Sequence, residues 1–118
     1  MKRGDVVIVS GRSDFGKSRP AIVIQADVYL EAIPSVTVCP LTTFLIEESR
    51  LRIIIEPSGA NGLAHRSQVM IDKIQTYMKD NVSQPIGEID QLTLDHMNIA
   101  LRSFLDLQIS GLENILEP

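Results

Sequence analysis

Hydrophobic positions along this chain come as short β-type runs through its first three quarters and then switch to helical spacing. Residues 6–9 are β-branched throughout and predict a first strand. Residues 21–25, Ala-Ile-Val-Ile-Gln, predict a second, with Pro20 at its start, where a missing N–H is tolerated. The alternation Ser-Val-Thr-Val-Cys at 35–39 predicts a third strand, and residues 51–56 a fourth, stopped by Pro57. Residues 68–71 predict a fifth, continued by 74–77 after a bend at Asp72-Lys73, and 86–89 a short last strand. Between these lie a loop at 10–18 containing Gly11 and Gly16, and one helical turn at 27–32 that Asp27 is placed to cap. A tight loop at 58–62 carries two glycines able to take positive φ.

From Asp90 onward Leu94, Met97, Leu101, Phe104 and Leu105 recur on one helical face, with Ala100 and Leu107 at its edge. Asp90 is placed to cap this helix, and Gly111 to end or kink it. Leu92 and Ile99 fall on the polar side, as contacts to a neighbour or partner. Several short strands followed by one helix predict a mainly β fold: a small antiparallel barrel with helical additions, the last helix covering one end or face. The whole chain, 1–118, reads as one domain with a tail at 108–118.

Composition narrows the function classes. No apolar run approaches the roughly 18 residues of a membrane span, and Met1-Lys2-Arg3-Gly4-Asp5 does not open a signal peptide. Cys39 is the one cysteine, so no internal disulfide forms, and its apolar neighbours predict a buried thiol. These features read as a soluble cytoplasmic protein. The net charge of −4 weighs against a broad electrostatic nucleic-acid binder. Residues 1–20 nevertheless hold five basic side chains (Lys2, Arg3, Arg12, Lys17, Arg19) against Asp5 and Asp14, a local +3, while the other 98 residues sum to −7. That asymmetry either focuses a field on a phosphate or is a solvated basic terminus.

The candidate chemistry sits where two β runs meet prolines. Arg19-Pro20 opens one run, and Pro40-Leu41-Thr42-Thr43 closes another. Two strand ends of this kind can hold a permanent cation and a hydroxyl side by side, which suits a phosphodiester. Arginine's fork matches phosphate oxygens and stays charged near neutral pH, so charge stabilisation comes first for Arg19 and proton donation second. Thr42 can donate to a phosphate oxygen and accept a proton; Thr43 is the second choice. Asp14, in the loop before Arg19, is placed to orient it or take a proton. The bland alternatives are a surface ion pair for Arg19, turn chemistry for the threonines and loop solubility for Asp14. Lys17, Arg12 and His65 are candidate RNA contacts, and base stacking would rest on Phe15, Phe44 or Tyr77. His96 reads as solvated. His65, His96 and Cys39 match no metal-ligand spacing, and phosphate-binding glycine loops are missing, so neither metal nor cofactor is expected.

The order of these pieces resembles the MazF/PemK family of bacterial toxin endoribonucleases. The matching residues are 2–6, Arg19-Pro20-Ala21-Ile22-Val23-Ile24, and Val38-Cys39-Pro40-Leu41-Thr42-Thr43. Gly62-Leu63, Ser67-Gln68-Val69-Met70, Ile74-Gln75-Thr76 and Ile86-Gly87-Glu88-Ile89 continue the pattern, so the likeness covers about 2–107. The resemblance implies an SH3-like β-barrel of the CcdB/PemK kind with added helices, assembled as a homodimer. It implies metal-independent cutting of single-stranded RNA, often mRNA, by 2′-hydroxyl attack, leaving a 2′,3′-cyclic phosphate and a 5′-hydroxyl. It also implies a cognate antitoxin protein of the MazE/PemI kind that blocks the RNA groove. The family's catalytic arginine falls on Arg19, its threonine on Thr42 and its first-loop acid on Asp14. Where the family has Glu-Gln-Gly before Arg-Pro this chain has Asp14-Phe15-Gly16-Lys17-Ser18, and where some members have Gln it has Lys73, a further candidate phosphate contact. A gyrase poison of the CcdB kind is disfavoured by the absence of Trp; a non-catalytic protein- or RNA-binding barrel is the other reading.

Overall fold

Among the described residues, seven strands, two helices and two 3-10 turns follow the sequence pattern closely. The structure, a computed structural model, describes residues 1–11 and 17–108. Strands β1 (Asp5–Ser10), β2 (Ser18–Val23) and β3 (Ser35–Thr42) form its centre. Beyond them lie β4 (Arg52–Ile55), β5 (Ser67–Met70), β6 (Gln75–Met78) and β7 (Gly87–Glu88), with helices α1 (Asp27–Ala32) and α2 (Gln91–Phe104). All pairings are antiparallel, in the order β4-β5-β3-β2-β1-β7, with β6 also on β3.

The sheet curls because β3 takes two partners in turn along one edge. Its register with β6 runs from Ser35 to Val38, and its register with β5 starts at Leu41. Pro40, which has no N–H to donate, sits at that changeover, where a proline is least disruptive within a central strand. After β6 a 3-10 turn at Lys79–Asn81 returns the chain to the free edge of β1. Val82 bridges Val9, Ser83 N donates to Ile8 O at 2.9 Å, and Ile86 N donates to Val6 O at 2.8 Å. The sheet thereby curls into a half-barrel.

Alternate residues of the central strands feed two cores. Val7, Val9, Ala21, Val23, Val36, Val38 and Tyr77, with Leu30 of α1, fill the inside of the curl. Val6, Ile22, Cys39, Leu41, Val69 and Ile71 face the other way, where Met97, Ala100 and Leu101 of α2 cover them. Burial on both faces explains why β1 reads as an unbroken apolar run rather than an alternation. Cys39 is buried, and loss of solvation pushes its thiol up to about 12.

Three expectations change. Helix α1 forms, but Ala26 holds its N-cap position without a side-chain bond; Asp27 instead accepts from the Arg3 backbone N–H at 2.7 Å, tying the first residues to the helix. Strand β2 starts at Ser18, so Pro20 lies inside it, opposite Ile8. The apolar stripe of α2 overruns the core: Met97, Ala100 and Leu101 are buried, while Phe104, Leu105 and Leu107 are largely exposed. Asp90 caps α2 as expected, accepting from Thr93 N at 2.8 Å. Among the described residues no helix is long and apolar enough to cross a membrane. Gly111 and the rest of 109–118 lie outside the described residues.

Candidate active site

Arg19 and Thr42 reach one place because β2 and β3 run antiparallel in a fixed register. Ala21 pairs with Pro40, Ile22 with Cys39 and Val23 with Val38. Arg19 and Thr42 each lie two residues beyond Ala21–Pro40, the last pair of that ladder. Side-chain direction alternates along a strand, so both belong to one face of the sheet. Both line an open cavity of about 250 Å³ with Lys17, Ser18, Pro20, Leu41, Thr43 and Ser67.

The lining is chemically one-sided. Lys17 and Arg19 supply two cations, and Ser18, Thr42, Thr43 and Ser67 supply hydroxyls; among the described residues no carboxylate lines it. An anion with several oxygen atoms fits such a surface. A larger cavity of about 310 Å³, between β4 and the start of α2, has Glu56, Glu88 and Asp90 in its lining and repels a phosphate.

Thr42 is half-buried, and its hydroxyl oxygen accepts from Phe44 N at 3.1 Å. That bond occupies one lone pair and leaves the hydroxyl proton for a ligand. Ser10 and Ser18 share a hydrogen bond of 2.8 Å between their hydroxyls, closing the base of the loop that leads into β2. Ser67, also in the lining, is buried, and its Oγ donates to His65 O at 2.9 Å.

Of the sequence-derived candidates, Arg19, Thr42, Thr43 and Lys17 thus come together. His65 is exposed, and neither it nor Lys73, exposed in the 3-10 turn Ile71–Lys73, is among the lining residues. Asp14, Arg12 and Phe15 lie outside the described residues. Phe44 is 77% exposed directly after Thr43, open to stacking. Tyr77 is not: its ring is buried in the inner core, and its hydroxyl donates to Gln75 Oε1. Ser67, which lines the cavity, and Gln68, which pairs with Thr42, were not candidates from the sequence. Their signal was a polar pair opening a strand that is otherwise apolar, and all four residues of β5 are buried.

The profile of the family described as PemK-like, MazF-like toxins of type II toxin–antitoxin systems matches residues 2–105. The chain belongs to that family. A curated relative, the probable endoribonuclease MazF of Mycolicibacterium smegmatis, is 37% identical over 108 residues, covering 91% of this chain and 98% of the relative. Among solved structures, the Mycobacterium tuberculosis toxin MazF-mt6 superposes with a TM-score of 0.75 at 23% identity, over 89% of this chain and 99% of its own. An endoribonuclease in complex with its cognate antitoxin, from a mycobacterial species, gives 0.76 at 23% identity, over 93% and 99%. These two structural likenesses establish the fold: a MazF-type curled sheet with a C-terminal helix. The family membership rests on the profile and on the 37% relative.

Proposed function

We propose that this chain is the toxin of a type II pair and cleaves single-stranded RNA, with Arg19 and Thr42 at the reacting phosphate. The observation that carries the reading is that these two side chains, from different strands, line one cationic, hydroxyl-rich cavity in a MazF-type fold. In the reaction the ribose 2′-oxygen bonds to phosphorus as its proton leaves, and the bond from phosphorus to the 5′-oxygen breaks as that oxygen gains a proton. The products are a 2′,3′-cyclic phosphate and a 5′-hydroxyl. Arg19 offers its fork to the non-bridging oxygens as negative charge builds there, and Thr42 donates its hydroxyl proton to the same group. Asp14 is assigned to orient Arg19 or to take the 2′-proton. Lys17 and Thr43 hold adjoining phosphates, and Arg12, Phe15, His65 and Lys73 contact the RNA beyond the cavity.

The same reading makes the chain a cytoplasmic homodimer that a MazE/PemI-like antitoxin inhibits. It uses no metal: Asp14 takes the 2′-proton, Arg19 in its second role gives a proton to the departing 5′-oxygen, and Arg19 and Thr42 stabilise the charge on the phosphate. The test is incubation of the purified protein with a mixed RNA in EDTA, followed by mapping of both new ends. Cyclic phosphate and 5′-hydroxyl ends at a short recurring sequence are expected. Intact RNA, or cleavage that EDTA abolishes, contradicts the reading.

A further inference from the structure

Gln68, the second residue of β5, is a polar side chain with no exposure at all. Burying an amide is unfavourable unless its hydrogen bonds are met. Here they are met by one residue of the segment that follows Thr42. Gln68 Oε1 accepts from Ile46 N at 3.1 Å, and Gln68 Nε2 donates to Ile46 O at 2.7 Å. The side chain thus imitates one rung of a β-ladder and grips the backbone of Ile46 on both sides. Its own backbone, meanwhile, lies opposite Thr42 in the β3–β5 register.

One residue therefore fixes both ends of the strap 42–46: its main chain faces Thr42, and its amide holds Ile46. Inside the strap, Phe44 N donates to the Thr42 hydroxyl. Leu45 and Ile46 are exposed by 39% and 45% and Phe44 by 77%, so little packing holds the strap down. The hydrogen bonds of Gln68 are left to set its path. We infer that Gln68 is a positioning residue, which acts through Ile46 and Phe44 to aim the Thr42 hydroxyl into the cavity. The inference rests on the reading of that cavity as an RNA-cleaving site.

The test uses the full-length protein and single-turnover cleavage of one defined RNA by wild type, Thr42→Ala, Gln68→Met and Gln68→Met/Thr42→Ala. Methionine keeps the volume and removes both polar atoms. Misplacement of a reacting group by even 1 Å can lower a rate by about 100-fold, so Gln68→Met is expected to lose roughly 10- to 100-fold in the cleavage step with RNA affinity changed by no more than about 2-fold. On the Thr42→Ala background the same substitution is expected to change the rate little, because the group it positions is gone. Amide exchange at Ile46 should speed up in Gln68→Met while that of β1 and β2 stays protected.

Gln68→Glu is the second variant: in the protonated form that burial favours, its carboxyl can accept from Ile46 N and donate to Ile46 O; it is expected to fold and to fall between wild type and Gln68→Met. Full activity in both Gln68 variants, or losses that multiply fully with Thr42→Ala, overturns the positioning role. Wild-type cleavage that Thr42→Ala leaves untouched would instead overturn the reading of the cavity, which separates the two claims.

Discussion

Arg19 and Thr42 line one cavity, each two residues beyond Ala21–Pro40, the last pair of the β2–β3 ladder. In the proposed reaction the guanidinium acts through geometry as much as through charge. Lysine at position 19 keeps the charge and loses the planar fork. Arg19→Lys is therefore expected to cleave slower than wild type by about 10-fold or more, and faster than Arg19→Ala, when single-turnover rates are compared on one RNA.

Gly62 and Gly87 hold the 58–62 loop against β7 by close backbone approach. A Cβ at Gly62, whose φ is +71°, would lie 2.3 Å from Ile86 O, and one at Gly87 would lie 2.4 Å from the Asn61 carbonyl carbon. Backbone atoms cannot swing aside as a side-chain tip can. Gly62→Ala should lower stability by about 2 kcal/mol or more. Urea unfolding of the two proteins gives the difference directly, and equal midpoints would contradict the packing argument.

Asp72 receives Arg52 Nε at 3.0 Å and Nη2 at 3.4 Å, and this hydrogen bonding holds its carboxyl below its ordinary 3.8. A depressed folded-state value stabilises the protein above the unfolded-state value and is lost as pH falls through the folded one. The pair is partly exposed, so its worth is about 1 kcal/mol. Asp72→Asn should be less stable than wild type near neutral pH, and the gap should close as the solution is acidified below about pH 4. Denaturant midpoints measured across that range check both the size and the sign.

Cys39 is covered by the outer core, and burial pushes its thiol up to about 12. Near pH 8 it is protonated as well as inaccessible. Iodoacetamide should leave the folded protein unmodified and label one site after denaturation, read by intact mass. Rapid labelling of the folded protein would show that the core opens easily at β3.

Much of this molecule was legible in its sequence because strands and helix obey different periods. The β-branched run at 6–9 and the helical stripe after Asp90 each place an element within a residue or two. Arg19-Pro20 and Pro40-Leu41-Thr42 mark strand segments, and the antiparallel register brings them together. What the sequence hid were relations between segments. Nothing local says that Asp27 leaves its helix cap to bind the Arg3 backbone, or that the Gln68 amide serves as a ladder rung for Ile46. A buried glutamine and a solvent-exposed one look alike until the strand around it is known to be covered on both faces. The stripe in α2 misled at Phe104 and Leu105 because helical spacing reports a face and not where the core beneath it ends.

The most direct test of the central claim is a double-mutant cycle on RNA cleavage with Arg19→Ala, Thr42→Ala and the pair together, each shown to keep the wild-type fold by circular dichroism. If both side chains act on one phosphodiester, each single variant loses about 100-fold or more and the double variant little beyond the worse of the two. Wild-type rates in either single variant would contradict the account.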